Sequence, residues 1–271
     1  MRSTRDANMA ADTPAALELR TQALRRKLFL HRLYREWYGQ IAADLPPGPG
    51  AVVELGSGGS FLREFVPNLV TSDILPHGVV QVALDGCRLP FPPGSLRGLV
   101  MTNVFHHFPD ARGFLAEACR CLRPGGVVSM IEPWVTPWSR VIYRHLHHEP
   151  FEPGATTWEH PAGHPLSGSN NALAWIVFAR DRAGFEAGFP QLQIRAVTPL
   201  APFRYLLAGG VSHPALTPGW TFGFWRGVES LLRPVLPRLA MFARIVLVRG
   251  EDGAAVPTGF PSATDTQRRR T

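Results

Sequence analysis

Apolar positions in the first sixth of the chain recur with helical spacing. Leu30, Leu33, Tyr34, Trp37, Tyr38 and Ile41 follow an i, i+3, i+4, i+7 pattern, which lays one apolar stripe along a helix. Thr13 can cap that helix and Pro14 suits its first turn, so the spacing predicts a helix over 14–41. The opposite face carries Arg25, Arg26, Arg32 and Arg35. It reads as a solvated face on a helix packed against the domain, with contact to anionic lipid or a phosphorylated substrate as the alternative. Pro46-Pro47-Gly48-Pro49-Gly50 then breaks the chain.

After the break the pattern changes. Short apolar runs without polar alternation at 51–55, 69–72, 79–84, 96–102 and 127–131 read as buried strands. Helical stretches at 61–66 and 111–122 lie between them, the second stopped by Arg123-Pro124-Gly125-Gly126. Residues 133–170 hold Pro, Trp, His and Gly without periodicity and predict a long loop or lid. A helix is predicted at 171–187 and strands at 192–197 and 242–248, with proline-broken short helices over 199–240. The ends, 1–12 and 250–271, read as disordered tails around a single domain over 13–249. Strand–helix alternation with non-alternating strands implies an α/β fold with a doubly wound, mostly parallel sheet.

Composition adds a little. The 271 residues are 45% hydrophobic and 18% charged, a globular balance. The net charge of +7 admits nucleic acid, an anionic membrane or an acidic substrate. Lys and Arg are scattered apart from Arg25-Arg26-Lys27 and Arg268-Arg269-Arg270, which argues against nucleic acid. Three cysteines, Cys87, Cys119 and Cys121, are an odd number without a C-x-x-C, which speaks against a disulfide framework and suits a reducing cytosol. No secretory leader and no run of about 18 apolar residues is visible, so no ordinary membrane-spanning helix is expected.

The chemistry concentrates after the first strand. Val52-Val53-Glu54-Leu55-Gly56-Ser57-Gly58-Gly59-Ser60 runs from a hydrophobic strand into a tight glycine turn with a helix expected beyond it. Glycine lets a ligand approach the backbone, and the helix start offers free N–H groups. A pyrophosphate-binding turn is usually apolar where Glu54 stands, whereas a carboxylate there suits a positively charged amino group. Asp73 closes the second strand and Asp85 the third, where acids can take ribose hydroxyls and an adenine amine. Any one Asp reads equally as a loop or cap residue; two acids at successive strand ends plus Glu54 do not.

From about Val52 to Trp134 the chain resembles the class I S-adenosylmethionine (SAM)-dependent methyltransferase family, and most of all its small-molecule, ubiquinone-biosynthesis-like subfamily. The resemblance rests on Glu54-Leu55-Gly56-Ser57-Gly58, Asp73, Asp85 with Leu89-Pro90-Phe91, Asn103-Val104-Phe105-His106-His107-Phe108, and Leu122-Arg123-Pro124-Gly125-Gly126. It implies a seven-stranded Rossmann-like sheet with an antiparallel last strand. It also implies that Glu54, Gly56, Ser57 and Gly58 hold the methionine part, Asp73 with Ile74 the ribose, Asp85 with Gly86 the adenine side, and that Asn103 lines the wall near the sulfonium. Two departures are visible. Ser60 replaces the usual third glycine and can instead cap the next helix. The link between the second and third strands is too short for the usual helix.

Beyond the cofactor, His106 and His107 lie past the fourth strand and are candidates for a general base, or for loop packing. His145, His147, His148, Glu149, His160 and His164 form a second cluster in the lid. No metal is expected, since no Cys or second acidic ligand stands at a known spacing. Trp134, Trp138, Trp158, Trp175, Trp220 and Trp225 read as packing, with sugar stacking as the alternative. Arg226, Leu231, Leu232, Arg233, Leu236, Arg238 and Leu239 mix apolar and basic residues as a peripheral membrane contact would.

The expected function is methyl transfer to oxygen on a small-molecule, glycan or lipid-linked acceptor, in the cytoplasm or on the cytoplasmic face of a membrane. Three alternatives stand beside it. A protein or nucleic acid methyltransferase would want a target-reading loop, and Asn103-Val104-Phe105-His106 is not the Asn-Pro-Pro-Tyr type used on bases. An NAD-dependent oxidoreductase conflicts with Glu54 and lacks G-x-G-x-x-G. A non-catalytic SAM-fold binding protein would not need all three acids.

Overall fold

Seven strands make up one sheet: β1 (Ala51–Glu54), β2 (Leu69–Asp73), β3 (Val82–Ala83), β4 (Leu96–Thr102), β5 (Leu122–Pro133), β6 (Leu192–Leu200) and β7 (Phe242–Arg249). Their order is β3-β2-β1-β4-β5-β7-β6. The computed structural model describes residues 21–22, 24–76, 80–147, 149–160 and 168–251. Strands β1 to β5 pair in parallel, and β7 runs antiparallel to both β5 and β6. The sequence therefore yields the expected doubly wound α/β sheet with its antiparallel last strand. Buried positions occur without alternation along β2 and β4, because both sheet faces are covered.

One face is covered by α1 (Leu28–Asp44), which lays Phe29, Leu33, Trp37 and Ile41 among Val52, Val100, Ile131 and Phe242. The other is covered by α2 (Ala111–Cys121), capped by the Asp110 carboxylate accepting from the Gly113 N–H. Phe105, Phe114, Phe178 and Phe185 fill the layer between α2 and the sheet. Each fully buried side chain of this size contributes about 2–3 kcal/mol of transfer free energy. The order of the strands reverses between β1 and β4, so a crevice opens beyond their carboxyl ends.

Several elements depart from the sequence pattern. The expected first helix has its whole apolar stripe buried, but extended backbone at Lys27 interrupts it: residues 21–22 and 24–26 are helical ahead of the break, and α1 starts anew at Leu28. The Lys27 ammonium donates to the carbonyls of Gly210 and His213, which ties that break to a loop far along the chain. Thr13, Pro14, the expected tail 1–12 and all but Gly250 and Glu251 of the expected tail 250–271 lie outside the described residues. Beyond the glycine turn there is one 3-10 turn, Leu62–Glu64, rather than an α-helix. The third strand shrinks to two residues, and β5 runs on through the glycines expected only to stop α2.

The expected lid loop contains α3 (Pro137–His145), opened by a capping box in which Thr136 and Ser139 exchange side-chain and backbone hydrogen bonds. The helix expected at 171–187 is three pieces: a turn at Leu173–Trp175, a π-helical stretch at Ile176–Arg180, and α4 (Arg182–Gly188). The region 199–240 holds short helices as expected, the longest being α5 (Phe222–Leu231).

Candidate active site

The carboxyl end of β1 delivers Glu54 into a turn that only glycine can make. Gly56 has φ +62°, and a Cβ there would stand 2.4 Å from Val104 Cγ2. Gly58 has φ +47°. The turn is sewn to β2 beside it: the Ser57 N–H donates to Ser72 O at 2.8 Å, and Ser72 Oγ donates to Glu54 O at 2.6 Å. The Gly58 N–H donates to Asp73 Oδ2 at 3.0 Å and the Ile74 N–H to Asp73 Oδ1 at 2.8 Å. Asp73 is thereby fixed in orientation at the carboxyl end of β2.

Glu54 is 3% exposed, and its Oε2 has no hydrogen-bond partner. Burial pushes its carboxyl up to about 7 from the ordinary 4.5, against hydrogen bonds from Ser60 and Ser57. A buried carboxylate with an unanswered oxygen costs free energy, and a cation would offset it. Ser60 Oγ also accepts from the Leu62 N–H, but the cap position of the 3-10 turn is Phe61, so the helix cap expected of Ser60 is not formed. Above the turn stand Tyr34 and Tyr38 of α1, both buried. Asn103 takes left-handed backbone at φ +58° and donates from Nδ2 to the Tyr34 hydroxyl at 3.2 Å. Asp85 is exposed, and its Oδ1 accepts from the Cys87 N–H at 2.8 Å. Gly86 leaves room for the Phe108 ring, which would be 2.5 Å from an added Cβ.

All nine residues expected at the cofactor, Glu54, Gly56, Ser57, Gly58, Asp73, Ile74, Asp85, Gly86 and Asn103, line one cavity of about 880 Å³, and His106 and His107 line it too. That volume suits a ligand of drug size or larger. The expected helix N-terminus contributes little, since a three-residue 3-10 turn has no substantial dipole; the turn's own backbone faces the cavity instead.

The loop after β4 is held by a residue that sequence reasoning missed. Glu132, at the end of β5 and 0% exposed, accepts at Oε1 from the N–H groups of Val104 at 2.7 Å and Phe105 at 2.9 Å. Its Oε2 meets His106 Nδ1 at 2.7 Å. A signal existed: Glu132 is the single charged residue in 127–134. Glu149, from the lid, approaches the other side of the pair, 3.5 Å from His106 Nε2 and 4.0 Å from His107 Nε2.

Burial opposes the charge on His106, but Glu132 and Glu149 outweigh it and its pKa stands at about 9. Burial and the neighbouring His106 push His107 down to about 4. At neutral pH one ring is already protonated and the other is a feeble base, so neither is poised as a general base by itself. From the lid cluster, His147 and His160 line the cavity, His145 is exposed on α3, and His148 and His164 lie outside the described residues. No tryptophan lines the cavity among the described residues. Trp134 and Trp158 are core, and Trp220 is 79% exposed.

Residues 54–130 match the methyltransferase domain family. A demethylmenaquinone methyltransferase of Deinococcus radiodurans is 31% identical over a stretch covering 36% of this chain and 49% of that protein. An uncharacterized chloroplastic methyltransferase of Arabidopsis thaliana is 38% identical over 65 residues, 24% of this chain and 18% of its own. The chain thus spans about half the length of one curated relative and under a fifth of the other. Among solved structures, a chain of a Haloferax volcanii complex containing the Trm112 methyltransferase activator superposes with a TM-score of 0.50 at 15% identity, covering 86% of this chain and 98% of that one. That likeness is one of fold.

Proposed function

We propose that this chain, whose residues 54–130 match the methyltransferase domain family, transfers a methyl group from SAM to an oxygen of a small-molecule, glycan or lipid-linked acceptor. The carrying observation is Glu54: a buried carboxylate with a partnerless oxygen beside the glycine turn of a large cavity. It fits the ammonium of the methionine moiety. The Gly56–Gly58 backbone has no Cβ to obstruct that moiety, Asp73 is oriented to accept from the ribose diol, and Asp85 and Gly86 bound the adenine end. Asn103, fixed by Tyr34, forms the wall toward the sulfonium.

SAM supplies an activated methyl group with its own leaving group. The chain's task is to align the acceptor and exclude water. The rest of the cavity does this, with His106, His107, Tyr143 and Tyr205 around the acceptor space. The similarity to a demethylmenaquinone methyltransferase supports the quinone-biosynthesis-like resemblance. A lipid-linked acceptor is favoured by Leu146 and Leu216, which line the cavity and are 68% and 74% exposed. They make its rim apolar.

Calorimetric titration with S-adenosylhomocysteine (SAH), beside Asp73→Ala, tests the cofactor. Saturable binding by the wild type, lost or weakened more than about tenfold in the variant, is expected, since two or more hydroxyl hydrogen bonds disappear. A folded wild type that binds no SAH would return the chain to the scaffold and dinucleotide readings.

A further inference from the structure

The two histidines after β4 and the lid glutamate have a use that their role as cavity lining does not exhaust. We propose that His106, His107 and Glu149 bind a divalent d-block cation of the zinc class at the acceptor end of the cavity. One ligand atom from each lies within 4.8 Å of the others. Their burial and convergence distinguish them from a scatter of surface side chains.

The outer partners of the two rings carry the argument furthest. His106 Nδ1 stands 2.7 Å from Glu132 Oε2, and that carboxylate already accepts from backbone N–H groups, so it is the acceptor here too. His107 Nδ1 stands 3.0 Å from the carbonyl oxygen of Gly168, which can only accept. Both rings therefore hold hydrogen at Nδ1, which leaves Nε2 of each as the nitrogen facing Glu149; a cation there would displace the second proton of the His106 ring. One carboxylate and one backbone carbonyl behind the two imidazoles is the arrangement that orients metal-ligating histidines. Glu149 is itself steadied by the Asn171 amide, which donates to Oε2 at 3.1 Å.

The separations suit an ion. Ligands about 2.0–2.2 Å from a tetrahedral metal lie about 3.3–3.6 Å from one another. The Nε2 atoms stand 3.5 Å (His106) from Glu149 Oε2 and 4.0 Å (His107) from Glu149 Oε1, the first close to that spacing and the second somewhat longer. Two imidazoles and a carboxylate favour a zinc-class ion over magnesium or calcium, which take oxygen. Three protein ligands leave a position facing the cavity, as catalytic sites do. The ligands come from two segments about forty residues apart, so spacing within either one predicts no metal.

The cation site stands on this geometry alone; its part in turnover rests on the methyl-transfer reading. There it would select acceptors with a hydroxyl or enol oxygen able to occupy the open position. A bound hydroxyl is more acidic. Its proton leaves to water, its oxygen lone pair forms the new C–O bond, and the C–S bond of the sulfonium breaks toward sulfur. No histidine base is required.

The test uses the full chain without a histidine tag, stripped with a chelator, titrated with Co²⁺ and followed by its visible d–d absorption. The same samples are titrated with SAH and checked by circular dichroism. One Co²⁺ per chain is expected, weakened more than about tenfold in both His107→Gln and Glu149→Gln while SAH still binds. Binding of Co²⁺ without SAH would keep the cation site and remove its role in methyl transfer. A wild type that binds SAH but no Co²⁺, or variants with unchanged Co²⁺ affinity, would overturn the proposal.

Discussion

At the scale of single residues, Glu54 sets a conflict between stability and binding. Its folded pKa lies above its ordinary value, so the folded state holds the proton more tightly than the unfolded chain does. Stability from this group is fully present below about pH 4.5 and is lost as pH rises through about 7, up to about 3 kcal/mol. Glu54→Gln, which carries no charge, is therefore expected to melt higher than the wild type at about pH 8 without ligand, and the gap should close toward pH 5. The same variant should bind SAH more weakly. Thermal melts at both pH values decide this; a lower melting temperature for the variant at high pH would mean that Glu54 is satisfied as a carboxylate. Glu54 and Asp73 were legible in the sequence because each ends a hydrophobic run beside a glycine turn or a strand terminus. Tyr34 and Tyr38 were legible only as apolar stripe, since nothing local says that a packed face also forms a cavity wall. The cavity side of α1 exists only once the helix crosses the sheet.

At the scale of elements, local rules succeeded where the chain's own neighbours decide the structure and failed where distant ones do. The apolar stripe of α1 is a local signal, and it is buried throughout. The break at Lys27 is not local, because its anchors are carbonyls of Gly210 and His213. Helix α3 was hidden in a stretch without clear periodicity, although Thr136, Pro137 and Ser139 spell a helix start. That cap carries tertiary weight too, since Thr136 Oγ1 donates to Ala240 O at 2.9 Å. Thr136→Ala removes the cap and leaves a buried carbonyl without its donor. It should cost about 1–3 kcal/mol, measured by urea denaturation with an unchanged slope. A loss below a few tenths of a kcal/mol would show that α3 does not depend on its box. The π-helical stretch at Ile176–Arg180 likewise has no sequence signature; its following residue, Asp181, accepts from the Trp158 indole at 2.9 Å, a contact with the lid.

For the whole molecule, the fold class was legible because buried parallel strands repeat a simple pattern. The acceptor end was not, because it is assembled from α1, the β4 loop, the lid and 205–216, four places with no common motif. Away from the cavity lining, α5 and the turn before it carry exposed apolar side chains: Trp220 is 79% exposed, Phe224 66% and Leu231 83%. The chain carries a net charge of +7, and no helix among the described residues is long and apolar enough to cross a membrane. These features together favour peripheral contact with anionic lipid. Trp220→Ser with Phe224→Ser should reduce co-sedimentation with phosphatidylserine vesicles severalfold while leaving SAH binding intact. Equal sedimentation of variant and wild type would remove the membrane reading.

The glycine turn has one more neighbour. A Cβ on Gly59 would stand 2.4 Å from Thr21 Cα, so the chain ahead of α1 rests directly on the back of that turn, and Leu24 reaches the cavity beside it. The recognisable motif of residues 54–130 is thus not a portable module. Grafted onto another protein, or expressed as a fragment, it would carry most of the residues proposed to hold the cofactor and still lack the wall built by Leu24, Tyr34 and Tyr38. What looks like a self-contained cassette in the linear text is half of a receptacle whose other half is written before it.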